Sequence, residues 1–371
     1  MLGMNPNLPS DQRIVMTLDA GRTGLKFSAI RGIELLVDPV TRPTEGDHLD
    51  RCLHNIVDGF ESIRKTLPAA PVAISFAFPG PADYRRGVIS NLKNFPAFEG
   101  DVALGPILED KFKLPVFINN DGDLFAYGEA IAGFLPYVND LLARAQSPKR
   151  YHNLFGVTLG TGFGAGIVHH GELLLGDNSS GGEAWLLRNA LHPETNAEEG
   201  VSIRAVRRVY AEQAGIQFAQ APEPKVIFEI GVGGARGNQS AAIEAYRQLG
   251  VVAGDALAQA LTLVDGVAVV GGGMSSAAPL FMPALIGAMN AQYAANSLRR
   301  LVPRVFHLDH PPDRELFLRG EVREVPVPGS TRTVAFDPMR RTCVGLSRLG
   351  TSQAVAIGAS AFALRQLDRV A

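Results

Sequence analysis

The sequence predicts an α/β protein of two domains, and three observations carry that prediction. Short apolar runs of strand length alternate with amphipathic helical patterns. Two strand–glycine turn–strand units, one after Asp19 and one after Gly160, stand about 140 residues apart, roughly one domain's length. The chain's 371 residues suffice for two sizeable cores. The pattern looks like a duplicated half, each half opening with a glycine-turned hairpin.

The elements follow in order. Residues 14–18 are an apolar run that ends at Asp19, turns through Ala20-Gly21-Arg22-Thr23-Gly24, and returns as a strand-like run over 25–30. Leu49, Leu53, Ile56, Phe60, Ile63 and Leu67 recur at spacings of four and three, one face of a helix that Pro68 and Pro71 end. Residues 72–78 read as a buried strand broken at Pro79-Gly80-Pro81. A strand at 116–118 runs into Asn119-Asn120-Asp121-Gly122-Asp123, and a helical pattern follows through Gly133. The second hairpin joins 154–159 to 167–169 through Gly160-Thr161-Gly162-Phe163-Gly164-Ala165-Gly166. Residues 204–214 look helical, 220–224 read as a Pro-containing loop, and Tyr246, Leu249, Ala253, Leu257, Leu261 and Val264 mark a long helix. A buried strand at 267–270 meets Gly271-Gly272-Gly273. Residues 325–336 alternate around Pro328-Gly329 as a hairpin, and 352–371 form a helix rich in small residues.

Composition excludes several classes. Hydrophobic residues at 46% and charged residues at 19% are ordinary for a globular chain and wrong for a disordered one. A formal net charge of -2 offers no basic excess for nucleic acid or an anionic membrane. No run approaches the ~18 apolar residues of a membrane span. The polar start, residues 1–12, lacks the apolar core of a signal peptide. Cys52 and Cys343 stand without a C-x-x-C or Cys/His cluster, so no structural zinc is expected. They read as the reduced thiols of a cytoplasmic protein.

The glycine clusters carry the chemistry. Polyphosphates need many N–H donors at close range, and glycine lets backbone amides approach them. Asp19-Ala20-Gly21-Arg22-Thr23 and Gly160-Thr161-Gly162-Phe163-Gly164 are candidate phosphate loops, each equally readable as a tight hairpin turn. Neither is a P-loop, because no Gly-Lys-Ser/Thr ends it, and a strand follows the second where a dinucleotide fingerprint needs a helix. Asp19 suits Mg²⁺, directly or through water, or a plain turn hydrogen bond. Asp121 suits a general base for a hydroxyl acceptor, with Asn120 beside it, while Asp121 or Asp123 also fits a helix cap. Glu183 suits an acceptor for sugar hydroxyls, and Ser180-x-x-Glu183 also fits a capping box. Asn94 is a further polar candidate in a Pro-punctuated loop, where an Asn also bonds its own backbone. The triple glycine would let adenine or ribose lie against backbone, or serve as a β-to-α turn. His307-Leu308-Asp309-His310 lacks a fourth metal ligand nearby and reads as exposed loop, and His169-His170 as turn surface.

The order of these motifs resembles the ROK family (repressors, open reading frames and kinases), within the superfamily of sugar kinases, actin and heat-shock chaperone ATPases. It runs Asp-x-Gly-x-Thr, Pro-Gly-Pro, Asn-Asp, Gly-Thr-Gly-x-Gly, Gly-Gly-Glu, Gly-Gly-Gly, small-residue helix, from about Arg13 to the C-terminus. The resemblance implies two actin-like (ribonuclease H-like) ATPase domains around a central cleft, residues 1–122 with about 350–371 and residues 123–349. It implies a cytoplasmic, glucokinase-like hexose kinase using ATP and Mg²⁺, free of nucleic acid and membrane, with a homodimer as the expected assembly. By matching position Asp121 is the base, and Asn94, Asn120 and Glu183 contact the sugar. Asp19, Gly21 and Thr23 match the first phosphate loop, and Gly160, Thr161, Gly162 and Gly164 the second. Gly271, Gly272 and Gly273 match the adenosine motif.

Three departures stand out. Arg22 replaces a glycine of the first loop, and could bind phosphate or block its approach. Leu186 stands where many members carry histidine, and the cysteine-rich zinc motif is absent. The stretch 303–338 is longer than usual. Competing readings are a sugar-responsive repressor, which the expected start of the first strand near Arg13 leaves no room for, a sugar-binding protein that has lost catalysis, and an acetate-kinase-like or chaperone-like ATPase. The last has no use for the Asn-Asp and Gly-Gly-Glu elements.

Overall fold

The computed structural model describes residues 8–21, 24–80, 82–90, 92 and 96–370. In chain order its first elements are β1 (Ile14–Ala20), β2 (Gly24–Arg31), β3 (Glu34–Leu35), β4 (Val40–Pro43), α1 (Leu49–Thr66), β5 (Ala73–Ala77), β6 (Ala82–Asp83), β7 (Val88–Ser90), β8 (Asp101–Val102), α2 (Leu104–Phe112), β9 (Val116–Asn119), α3 (Asp121–Ile131) and α4 (Phe134–Arg144). Then come β10 (Leu154–Leu159), β11 (Phe163–His169), β12 (Glu172–Leu173), α5 (Glu198–Val201), α6 (Ile203–Ala214), α7 (Pro224–Gly231), α8 (Gln239–Val264), β13 (Val267–Gly271) and α9 (Ala278–Met289). The last are β14 (Arg304–His307), α10 (Pro311–Arg319), β15 (Arg323–Pro326), β16 (Thr333–Phe336), β17 (Arg341–Leu346) and α11 (Thr351–Val370). They form two compact units: Met1–Gly133 with Gly166–Gly182 and Leu349–Ala371, and Phe134–Ala165 with Glu183–Arg348.

In the first unit the sheet order is β3-β2-β1-β5-β9, with β4 beside β2. β1 and β2 form the antiparallel hairpin that the sequence predicts, while β1, β5 and β9 run parallel. One face is covered by α1, whose buried Ile56, Phe60 and Ile63 belong to the predicted stripe, while Cys52 is buried where Leu53 was expected and Leu53 is only half-buried. Phe60 meets Phe27 edge-on at 5.0 Å and Phe76 at 5.9 Å. Gly59 makes room, since a Cβ there would lie 2.2 Å from the Phe27 ring. α11 packs against β1, β5 and β9, and α3 packs on α11, where the two helices approach backbone to backbone. A Cβ on Gly128 would sit 1.9 Å from the Ala354 carbonyl oxygen, and one on Gly358 1.9 Å from that of Leu124.

In the second unit β10, β13, β17 and β14 are parallel neighbours, and the start of β11 returns beside β10. α8 packs on α9 through Gly250 and Gly254, one turn apart. Added Cβ atoms there would meet the Phe281 and Leu285 carbonyls at 2.3 Å each. Several expectations are corrected. The helix read through Gly133 ends at Ile131, and α4 follows it. The loop read at 220–224 ends in α7, because Pro224 supplies the fixed φ of a first helical turn. The exposed loop read at 307–310 holds only in part: His307 ends β14 and Leu308 is buried, while Asp309 accepts the Leu346 N–H at 2.8 Å and pairs with Arg348, and the exposed His310 is the N-cap of α10. The long stretch 303–338 contains β14, α10 and the β15–β16 hairpin, both of whose strands are exposed along their length.

Candidate functional site

Two groups of predicted residues lie at strand ends, one in each unit. In the first unit the parallel register aligns Asp19 with Ala77 and Ala77 with Asn119. The carboxyl ends of β1, β5 and β9 therefore form one edge, where open α/β sheets place ligands. Asp19 is exposed on that edge. Gly21 closes the turn behind it, donating to the Gly24 carbonyl at 3.0 Å and accepting from Thr44 Oγ1 at 2.7 Å. A Cβ on Gly21 would come within 2.9 Å of that carbonyl, so glycine is required by the turn. Thr23, Arg22 and Asn94 lie outside the described residues.

Asn120 and Asp121 follow β9 directly and open α3. Asn120 is the N-cap, its Oδ1 accepting the Gly122 N–H at 2.8 Å. Capping therefore falls to Asn120 and not to Asp121 or Asp123. Asp121 shares that same N–H at 2.9 Å through Oδ1, and the residue is exposed. Protein packed around it limits hydration, and this pushes its carboxyl above its ordinary value of 3.8. The Gly122 amide opposes that shift, and the nearby negative charge of Asp19 adds to it. The edge thus joins a proton acceptor of raised basicity to a second carboxylate.

The second unit carries the other glycine stretches. β10 and β13 end together, Thr158 opposite Gly271. Gly272 has φ +90 and lies flat against Leu159, where a Cβ would be 2.3 Å from the carbonyl oxygen. The Met274 N–H then donates to the same oxygen at 3.0 Å. Gly273 is exposed, with open space at its Cβ position. Gly160 donates to Gly162 across its turn at 3.0 Å and accepts from Ile203 at the start of α6 at 2.9 Å. Thr161 is exposed at the tip, and Gly164 is partly exposed in β11. The two glycine stretches of this unit are therefore one surface.

Glu183 is half-buried and precedes a 3₁₀ turn, Ala184–Leu186. The predicted capping box is absent: Ser180 Oγ donates to the Asn178 carbonyl at 3.1 Å, and Glu183 accepts from the indole N–H of Trp185. Two residues of this neighbourhood escaped the sequence reading. Trp185 is one, legible only as an aromatic beside a singled-out acid. Glu198 is the other: its Oε2 accepts the Phe163 N–H at 3.1 Å and would lie 2.6 Å from a Cβ on Gly162. It stands 35 positions from the loop it holds, and no local pattern signals such a contact. Among the described residues no three His, Cys, Asp or Glu side chains gather as a metal site. None of the helices among those residues is long and apolar enough to cross a membrane.

A parallel sheet with a hairpin edge in each unit, glycine turns at the strand ends and an Asn-Asp helix start define the two-domain, actin-like sugar kinase fold. The model of the family described as ROK matches residues 15–310, and the chain belongs to the ROK family. A solved glucokinase from Parabacteroides distasonis is 55% identical, with a TM-score of 0.89 over 96% of this chain and 99% of that one. A glucokinase from Aeropyrum pernix is 31% identical over 172 residues, 46% of this chain and 48% of that protein. The ROK glucokinase of Streptomyces griseus in complex with glucose and AMPPNP shares the fold at 18% identity, with a TM-score of 0.59 over 94% of this chain and 98% of that one. The matches span 60% or less of the length of these curated relatives, about half in most.

Proposed function

We propose that the protein is an ATP-dependent hexose kinase with Asp121 as general base. The observation that carries this reading is Asp121 itself, at the carboxyl edge of three parallel strands with its basicity raised. In the reaction the sugar hydroxyl oxygen bonds to the γ-phosphorus of ATP as the bond to the β,γ-bridging oxygen breaks. The hydroxyl proton passes to Asp121, and ADP leaves. Asn120, Asn94 and Glu183 hold the sugar, since amides and carboxylates meet hydroxyl donors and acceptors. The loops at Asp19, Gly21 and Thr23 and at Gly160, Thr161, Gly162 and Gly164 supply amides to the phosphates, and Gly271, Gly272 and Gly273 receive the adenosine. An exposed carboxylate at a strand end fits Mg²⁺, which keeps much of its water and asks for few protein oxygens, so Asp19 would hold it. When bound, the ion neutralises phosphate charge. Identity of 55% to a glucokinase supports glucose as the first sugar to test, and dependence on ATP supports a cytoplasmic place.

The deciding experiment is ADP release from Mg-ATP across a panel of hexoses and hexosamines, with Asp121→Asn as control. Sugar-dependent turnover that falls about 10²–10⁴-fold in the variant, with sugar binding by calorimetry preserved, is the expected result. Sugar binding without turnover in the unaltered protein would overturn the kinase reading in favour of a binding protein.

A further inference from the structure

Trp185 is the single tryptophan of the chain, two positions past Glu183 in the Ala184–Leu186 turn. Its indole N–H donates to Glu183 Oε2, and both side chains are half-buried. The backbone beneath them is held in place. The Leu186 and Leu187 amides donate to the Glu183 and Ala184 carbonyls at 3.1 Å each, and Ala197 donates to Leu187 at 2.7 Å. Leu186, the next residue, is apolar and turned outward. The turn therefore offers one side-chain donor to the carboxylate, and that donor is the indole.

We propose that Trp185 is a positioning residue of the sugar site: it holds Oε2 of Glu183 so that Oε1 is presented to a sugar hydroxyl. The inference rests on the reading of Glu183 as a sugar acceptor. A glutamate has three rotatable side-chain bonds, and a hydroxyl binds it tightly only if that freedom is already removed. A charge-assisted bond to the indole removes it, and an indole, unlike a hydroxyl, cannot turn into an acceptor and compete for the sugar's protons.

Because the chain has one tryptophan, its emission comes from Trp185 alone and reports on the surroundings of that indole. The test titrates the full protein with glucose, and with any better substrate of the panel, following tryptophan emission and calorimetric heat together. The expected result is a saturable emission change with the same midpoint as the heat. Trp185→Phe is expected to raise the sugar KM about tenfold while the ATP KM stays within about twofold, since a hydrogen bond to a charged group is lost on the sugar side only. Glu183→Gln, read without sugar, is expected to shift the emission, which keeps the test decisive if Trp185→Phe misfolds. Sugar binding by heat with unchanged emission, an unshifted Glu183→Gln, or an unchanged sugar KM in Trp185→Phe would each overturn the inference and leave the kinase reading standing. Neither heat nor turnover with any hexose would instead remove the kinase reading, and the inference with it.

Discussion

Asp121 is under opposing pulls: the Gly122 amide favours its charge, while limited hydration and Asp19 disfavour it. The balance lies on the side of a raised pKa, with two consequences. The acid limb of kcat/KM is expected above the ordinary aspartate range, because the base works only when ionised. Stability carries the matching sign. The folded protein holds the proton more tightly than the unfolded chain, so this group's contribution is full below the unfolded pKa. It declines as pH rises through the folded one. Asp121→Asn is therefore expected to be inactive yet to melt above the unaltered protein at neutral pH, with the gap vanishing in acid. Thermal unfolding of both at two pH values checks this, and a variant that melts lower at neutral pH would contradict it. The Asn-Asp pair was legible as chemistry from its place between a strand and a helix. Which residue caps was not, because Asn and Asp are nearly equal N-caps and geometry decides between them.

At the scale of elements, glycine sets how closely helices approach. Gly128 on α3 and Gly358 on α11 each face a backbone carbonyl of the other helix with no room for a methyl group. Gly128→Ala is expected to cost about 3 kcal/mol or more by overpacking, read as a lower denaturant midpoint. The same substitution at Gly287 on α9, where a Cβ meets open space, is expected to be neutral or stabilising. If both variants behaved alike, the helix crossing would not be the cause. α1 was readable because its apolar residues keep a helical period, and β1, β2, β5, β9, β10 and β13 because each is a short apolar run; the core strand β17, with Arg341 and Thr342 among its buried residues, was not. α9 was not: its Ala278, Phe281, Met282 and Leu285 are buried in a segment apolar nearly all round, so no stripe betrays it. Nor was α2, nine residues containing Gly105 and Pro106.

At the scale of the molecule, the β15–β16 hairpin belongs to no larger sheet. Its strands are exposed throughout, and Arg323 stands opposite Phe336 at its base. Replacing residues 324–335 by Asn-Gly is expected to leave turnover within about twofold and the midpoint of unfolding nearly unchanged, since a two-residue turn closes such a pair. The replacement keeps Asp337, whose ion pair with the buried Arg341 anchors the base of the hairpin. A large loss of turnover would assign the hairpin a part in catalysis.

By itself the sequence determined the α/β class, the two glycine-turned hairpins, the strand-to-helix step at Asn120-Asp121 and the order of motifs that places the chain in its family. These are local, because a turn, a cap or a strand needs only neighbouring residues to be written. The tertiary structure decided which of those residues keep company. Asp19 and Asp121 meet through a parallel register spread over three strands, Glu198 reaches the Gly162 turn from a later helix, and Gly128 faces a carbonyl more than two hundred positions away. Such contacts depend on how sheets twist and helices dock, and a linear pattern has no term for that.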